Sequence, residues 1–194
     1  MTTTLAPLEA AWNQLTEVAD AVSPDFYDHP TPCADWSVAQ VLEHATLDQL
    51  IWAAVVTGQP GPDGDAFAPT GTFASSPAEL VAPAVRAALD AWRVVEPEAR
   101  AVATPLPQGE MPLAVAVRAC ALDAAVHAWD IAVGIGRPSP LTPDLASELL
   151  PVARGFVEPL RAYGVFAAAL EPVPRDDTAS ELLRYLGRDP HWAA

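Results

Sequence analysis

Two residue types that bind metals lie at helical spacing in one apolar stretch of the sequence. Asp123 and His127 are four residues apart, within a run from Leu113 to Val133 that contains neither Pro nor Gly. On an α-helix this spacing places both side chains on one face, one turn apart. A carboxylate and an imidazole in that arrangement can bind the same divalent ion. Because the flanking residues are almost all apolar, we expect both groups to face the interior of a helical bundle.

His44 is the candidate for a third ligand, from a second helical pattern. Two imidazoles and one carboxylate leave coordination positions open, which suits catalytic Zn²⁺ or a centre of Fe²⁺, Ni²⁺ or Mn²⁺. A structural zinc site is usually closed by four protein ligands. From spacing alone, the simpler interpretation is that His44 and His127 are separate core histidines, because an Asp–His pair four residues apart is common.

Neighbouring residues could support such a site. Asp130, three residues after His127, either accepts a hydrogen bond from that imidazole and fixes its tautomer, or pairs with an arginine. Asp48, four residues after His44, could be a fourth ligand or a supporting group, although a solvated or Arg-paired carboxylate is the simpler interpretation. Cys33 could be a reactive thiol near a helix N-terminus, but a small buried side chain is favoured.

The elements that must position these residues are helices. Apolar residues recur at three- and four-residue spacing, and no run shows clear period-two alternation. Six helices are predicted, at about 5–22, 38–56, 77–95, 112–133, 143–163 and 179–186. Capping boxes are predicted at Ser37, Ser76 and Thr178, and Gly58 is expected to end the second helix. Prolines 151 and 159 could kink or divide the fifth helix.

These elements predict an all-α fold, a four-helix bundle with additional short C-terminal helices. We expect a single domain over 1–194, with its core at about 5–136 and a helical extension at about 140–194. The connection from 59 to 75 is rich in Gly, Pro and Asp and is expected to be a loop, with mobility possible.

Composition excludes several classes of function. The net charge is −15, and all ten basic residues are arginines. An acidic surface repels both nucleic acids and anionic membranes, so neither is expected as a partner. No apolar run reaches the roughly 18 residues of a membrane span, and the N-terminus lacks a signal-peptide pattern, which predicts a cytoplasmic protein. Cys33 and Cys120 are then expected to be free thiols.

Other chemistry has weaker support. The sequence contains no GxSxG or HExxH pattern and no glycine-rich phosphate loop, so no hydrolase nucleophile can be named. Arg118 and Arg137 flank the candidate metal helix and could bind a substrate carboxylate, although salt bridges are the simpler expectation for both. His29 and His191 are expected at the surface, although the tail at His191 could dock on the bundle.

Three groups of residues together resemble the DinB/YfiT-like metal-binding superfamily, in its actinobacterial branch related to mycothiol-dependent maleylpyruvate isomerase. Residues 31–38, Thr-Pro-Cys-Ala-Asp-Trp-Ser-Val, are similar to the family's start of the second helix. Leu42-Glu43-His44 matches its first metal histidine, and Asp123-x-x-x-His127-Ala-Trp-Asp130 matches its second ligand motif. Residues 186–190, Leu-Gly-Arg-Asp-Pro, are similar to the end of an uncharacterised metal-binding subgroup.

The resemblance implies a four-helix bundle whose metal is held by His44, Asp123 and His127. Zinc is the expected ion, with nickel, iron or manganese as alternatives. It also implies a transferase or isomerase, monomeric or homodimeric, that uses a low-molecular-weight thiol such as mycothiol and an electrophilic small molecule. A non-enzymatic metal- or ligand-binding module and a metal-dependent hydrolase remain alternatives.

The chain departs from the isomerase in two respects. Its carboxylate ligand is Asp123 where the isomerase has Glu, and its length leaves no room for the isomerase's additional C-terminal domain. Both differences separate the expected chemistry from maleylpyruvate isomerisation itself.

Overall fold

The computed structural model describes residues 5–33 and 36–193. It contains six α-helices over these residues, and the prediction of an all-α fold is confirmed. The helices are α1 (Ala6–Ala19), α2 (Val38–Thr57), α3 (Pro77–Arg93), α4 (Leu113–Gly134), α5 (Pro143–Arg161) and α6 (Thr178–Tyr185). One turn of 3₁₀ helix, Pro24–Phe26, lies between α1 and α2.

Helices α1 to α4 form the bundle. The most extensive contacts join α1 to α4 and α2 to α3, and further contacts join α2 to α4 and α1 to α3. Tryptophans 12, 92 and 129 are among the largest fully buried side chains of the core. Helix α5 packs against α4, and α6 packs against α5, so the C-terminal helices cover one side of the bundle.

Helix α4 is buried around nearly its whole circumference because it lies between the bundle and α5. Its many alanines allow this, since small side chains let neighbouring helices approach closely on every face. A helix that is apolar all round is typical of a protein core. Neither α4 nor any other helix of the described residues is long and apolar enough to cross a membrane.

Helix α2 begins and ends where the sequence predicts. Ser37 and Gln40 form the predicted capping box, in which the Ser37 backbone N–H donates to Gln40 Oε1 at 2.9 Å. Gly58 follows the helix with φ +66°, a left-handed conformation that glycine adopts without strain. This capping fixes the start of the helix that carries His44.

The cap predicted for α6 is wrong by one residue. Asp177, rather than Thr178, is the N-cap, and its side chain accepts a hydrogen bond from Ser180 N at 2.8 Å. Aspartate and threonine are both good N-caps, so local sequence did not distinguish them. The second capping box, at Ser76 and Glu79, is present.

Two further expectations need correction. No strand was expected, yet Val102–Ala103 (β1) and Glu110–Met111 (β2) form an antiparallel hairpin. Two-residue strands are too short to show an alternating pattern. Helix α5 is also not divided at Pro151 or Pro159: it spans 19 residues and packs against α4 and α6.

The loop from 59 to 75 is attached to α2 at several points. Gln40 Nε2 donates to Pro69 O at 3.1 Å. Glu43 Oε2 accepts hydrogen bonds from Gly71 N at 2.7 Å and from Thr70 Oγ1 at 3.1 Å. These contacts place the loop directly over the face of α2 that carries His44.

Candidate metal centre

The three predicted ligands lie together in the structure. His44 comes from α2, and Asp123 and His127 come from α4. Oδ1 of Asp123 lies 3.4 Å from Nε2 of His44 and 3.4 Å from Nε2 of His127. Both histidines are almost buried, whereas the Asp123 side chain is 20% exposed. The sequence placed these residues on two helices, and the fold brings their donor atoms to one point.

The spacing of these donors fits a metal ion. Ligand atoms at about 2.0–2.1 Å from a tetrahedral zinc ion are separated from one another by about 3.3–3.4 Å. The two measured distances to Asp123 Oδ1 are 3.4 Å, and the three donor atoms all lie within 4.8 Å of one another. The residues present therefore fit a divalent ion without rearrangement of the helices.

Hydrogen bonds on the far side of each ring determine which imidazole nitrogen is free. Nδ1 of His44 lies 2.6 Å from Ala66 O, and Nδ1 of His127 lies 3.0 Å from Asp130 Oδ2. Both partners are acceptors, so each Nδ1 must carry the proton. In the neutral rings each Nε2 then presents its lone pair toward Asp123. Metal-binding histidines typically have this arrangement.

Gln49 restrains the carboxylate of Asp123. This residue is fully buried, and its Nε2 donates to Asp123 Oδ2 at 3.3 Å. Its Oε1 accepts from Trp12 Nε1 at 2.7 Å and from Cys120 Sγ at 3.2 Å. The amide orientation is therefore fixed by two donors, which leaves the NH₂ group to restrain Asp123. Sequence analysis missed Gln49, because a polar residue on an apolar helix face gives no indication of its partner.

Asp130 fulfils both roles that the sequence left open. It accepts from His127, and it also forms a two-point ion pair with Arg188, at 2.8 Å from Arg188 Nε to Oδ1 and 2.8 Å from NH2 to Oδ2. Asp130 is completely buried. Sequence analysis noted the segment around Arg188 but assigned this arginine no function.

Charges in the site act strongly on one another. Burial raises the pKa of Asp123, but His127 and His44 outweigh it and hold the pKa below its usual range. Burial lowers the pKa of His127, but Asp123 and Asp130 outweigh it and raise the pKa well above its usual value. Burial also acts against the Asp130 anion, yet Arg188 and His127 lower its pKa. Without a metal, His127 therefore tends to carry a second ring proton, as an imidazolium between the carboxylates of Asp123 and Asp130.

Comparisons with known proteins identify relatives of this chain. A family model described as the mycothiol maleylpyruvate isomerase N-terminal domain matches residues 8–132. The chain belongs to this family. Uncharacterised proteins from two strains of Mycobacterium tuberculosis are each 34% identical over 166 residues, covering 82% of this chain and 83% of theirs. All three candidate ligands lie within the residues that the family model matches.

Solved structures of similar fold belong to mycothiol-dependent maleylpyruvate isomerase. One crystal structure of that enzyme matches with a TM-score of 0.67 and 16% identity, covering 97% of this chain and 89% of the enzyme chain. A histidine-to-alanine mutant of the enzyme matches with a TM-score of 0.58 and 16% identity, covering 77% of this chain and 65% of the mutant chain. At this identity the likeness concerns the fold.

Asp48 lies beside the centre in this member of the isomerase N-terminal domain family. It belongs to the same helix as His44, one turn later. Burial and the charge of Asp123 raise the pKa of Asp48 well above its usual value. Asp48 does not belong to the group of converging donor atoms. The structure thus places Asp48 as a neighbour of a ligand.

Cys33 lies close to His127 and Asp130. Its sulfur is within 4.8 Å of ligand-type atoms of His127 and Asp130, and burial raises the pKa of the thiol. Both Cys33 and Cys120 are free, as predicted. The raised pKa favours the half-buried structural interpretation over a reactive thiolate. Ala34 and Asp35, which complete the family-like motif at this point, lie outside the described residues.

Two aromatic rings lie next to the imidazole of His44. The Trp36 ring centroid lies 4.7 Å from that of His44, and the Phe67 centroid lies 6.4 Å from it. Phe67 is 69% exposed although it is large and apolar. These rings give the centre an apolar border next to His44.

The remaining candidates lie away from the three ligands. Arg118 pairs with Glu148 at 2.7 Å, which is the simpler of its two expected roles. Arg137 and His191 are exposed. His29 is half-buried rather than fully exposed. Its Nδ1 lies 3.3 Å from Gly134 O, and this contact joins the loop before α2 to the end of α4.

Proposed function

We propose that the protein is a divalent-metal-dependent transferase or isomerase that uses a low-molecular-weight thiol, with mycothiol as the first candidate. His44, Asp123 and His127 would hold the ion, and zinc fits this donor set best. The observation that carries the proposal is the convergence of two imidazole Nε2 atoms on one carboxylate oxygen, each at 3.4 Å.

The surrounding residues prepare these donors to bind an ion. Ala66 and Asp130 accept the Nδ1 protons, so both Nε2 lone pairs remain available. Gln49 fixes one oxygen of Asp123 and leaves Oδ1 toward the histidines. A divalent ion bound there would lower the pKa of a coordinated thiol, so that the thiolate is available at neutral pH. Three protein ligands leave a position for that thiol.

The exposed part of the site supports access by a small molecule. Asp123 retains 20% of its side-chain exposure, whereas the two histidines are nearly closed off. Trp36 and Phe67 supply apolar ring surface beside His44. An electrophile with a short carbon skeleton would pack against these rings, with its reactive carbon toward the thiol.

Family membership supports the choice of thiol. The matching family model bears the name of a mycothiol-using isomerase, and the solved structures of similar fold are of a mycothiol-dependent enzyme. The reaction of this chain need not be maleylpyruvate isomerisation, since its sequence identity to that enzyme is 16%. Thiol transfer to another electrophile uses the same site.

One observation favours a second candidate, a non-enzymatic module that needs no ion. An imidazolium at His127 would satisfy Asp123 and Asp130 simultaneously, at 3.4 and 3.0 Å. Such a buried charge network would be a structural element of the bundle. Metal binding and this proton compete for the same nitrogen, so the two candidates make opposite predictions.

Cobalt substitution tests the proposal. The protein is stripped of metal, loaded with Co²⁺ and titrated with mycothiol while the visible spectrum is recorded. The proposal predicts a new thiolate-to-metal absorption band that saturates with mycothiol and is absent with its S-methyl derivative. If Co²⁺ binds but no band develops, thiol activation is wrong; if Co²⁺ does not bind, the non-enzymatic module is favoured.

A further inference from the structure

We propose that Arg188 is a positioning residue for the metal centre, acting through Asp130 on His127. The inference rests on the proposed metal site, and it adds a residue from the C-terminal segment to it. Arg188 lies outside residues 8–132, which the family model matches.

A continuous series of hydrogen bonds joins Arg188 in the C-terminal segment to the candidate ligand His127. Arg188 Nε and NH2 each lie 2.8 Å from a different oxygen of Asp130. Oδ2 of Asp130 also lies 3.0 Å from Nδ1 of His127, and Nε2 of the same ring points to Asp123. A single carboxylate oxygen therefore joins the guanidinium to the imidazole.

Burial makes the Asp130 carboxylate depend on Arg188 as its charge partner. Asp130 is fully buried and Arg188 is 9% exposed. A carboxylate removed from water stays ionised only where charge and hydrogen bonds compensate for its lost hydration. Arg188 supplies both, at both oxygens, in the planar two-point geometry that only arginine provides. An ionised Asp130 can only accept, so the proton between it and His127 must reside on Nδ1.

The turn that ends α6 directs the side chain of Arg188 into the bundle. Arg188 N donates to Leu183 O at 2.8 Å and Gly187 N donates to Arg184 O at 2.9 Å, which together form a Schellman motif. Gly187 has φ +83°, and a Cβ there would lie 2.7 Å from Ala167 Cβ. Only glycine therefore permits both the turn and the close approach that direct Arg188 into the bundle.

Arg161 of α5 fastens the same turn from the other side. Its guanidinium donates to the backbone carbonyls of Ala167 and Tyr185 and lies 5.1 Å from the centre of the Tyr185 ring. The position of Arg188 is thus set by backbone contacts on both sides of Gly187. The C-terminal segment is thereby coupled to the metal centre.

Another arginine on the same segment provides a matched control. Arg184 Nε lies 2.7 Å from Asp176 Oδ2, and both side chains are nearly buried. Neither side chain forms a hydrogen bond or an ion pair with His44, Asp123 or His127. Replacement of Arg184 removes a comparable ion pair of the C-terminal segment, so its effect measures what is lost through stability alone.

The test measures zinc affinity by competition with a chromophoric chelator, and the tautomer of His127 by ¹⁵N NMR of the metal-free protein at alkaline pH, where the ring is neutral. Arg188→Met is expected to weaken zinc binding by about 10–100-fold, the range for partners of metal-bound histidines, and Arg188→Lys by less. Arg188→Met should also shift the His127 proton away from Nδ1. Arg184→Met should leave both measurements as in the wild type.

A double-variant cycle keeps the test decisive if Arg188→Met folds poorly. Asp130→Asn with Arg188→Met removes both buried charges, and it should bind zinc no more weakly than Asp130→Asn alone, because Arg188 acts through Asp130. Additive losses would contradict that route. Equal zinc affinity in the wild type and Arg188→Met would overturn this inference alone, whereas a wild type that binds no zinc would overturn the proposed function as well.

Discussion

Nε2 of His127 lies 3.4 Å from Oδ1 of Asp123, across a single turn of α4. The distance is longer than a good hydrogen bond, and it equals the separation of that oxygen from Nε2 of His44. Two equal and slightly long distances are expected when the donors are arranged around a common point rather than paired directly. A metal ion bound at that common point would contact all three residues.

Metal binding should release a proton. Asp123 and Asp130 raise the pKa of His127, so the metal-free protein retains a proton on this ring at neutral pH, and the ion must displace it. Affinity should therefore rise as pH increases toward the raised pKa and level off above it. Calorimetry in two buffers of different ionisation enthalpy should detect about one proton released per ion near pH 7. Tight binding without proton release would contradict the assignment of His127 as a ligand.

Gln49→Leu should weaken both the fold and the site. The substitution leaves Trp12 Nε1 without its acceptor and Asp123 without a restraint. A buried donor left unsatisfied costs about 1–3 kcal/mol of unfolding free energy, measurable by urea denaturation. Zinc affinity should fall as well. Trp12→Phe removes a donor to Gln49 but keeps the contact to Asp123, so it should destabilise the protein with little effect on zinc binding.

Asp48→Asn should stabilise the metal-free protein in a pH-dependent manner. Burial and Asp123 raise the pKa of Asp48 in the folded state, so its contribution to stability is complete below its unfolded pKa and is lost as pH rises through the folded value. An amide cannot ionise and does not lose this contribution. Denaturation in the presence of a chelator should show that Asp48→Asn has a higher unfolding free energy than the wild type at about pH 7 but not at about pH 4. An equal change at both pH values would contradict a raised pKa for Asp48.

The sequence pattern was sufficient for the helices, and together with the family resemblance it was sufficient for the three converging residues. Asp123 and His127 share a helix, so their proximity follows from helical periodicity alone. The association with His44 required the pairing of α2 with α4, which the family resemblance supplied and the residue pattern did not. Once α2 and α4 pack, the three residues meet.

The supporting residues could not be found in this way. Gln49 and Arg188 contact the site from 74 and 58 residues away from their partners Asp123 and Asp130. Neither position follows from local periodicity, because each depends on how distant segments pack. The cap of α6 illustrates the same limit at short range, since Asp177 and Thr178 are both competent and packing selects between them.

Gly187→Ala should test how exactly the C-terminal turn is built. The substitution forces alanine into φ +83° and places its Cβ 2.8 Å from Ala168 O. Gly164→Ala is the control, because Gly164 has φ +75° but no atom within 4 Å of the added Cβ. The control should lose about 1–2 kcal/mol of unfolding free energy. Gly187→Ala should lose more and should also weaken zinc binding; equal losses would show that the close approach is unimportant.

Metal stoichiometry tests the central claim most directly. The purified protein, His44→Ala, His127→Ala and the exposed control His191→Ala are stripped, incubated with Zn²⁺, freed of excess ion and analysed by mass spectrometry of the metal. The account predicts about one zinc ion per chain, and a higher melting temperature with zinc, for the wild type and His191→Ala only. A wild type that retains no zinc and melts at the same temperature with and without it would contradict the account.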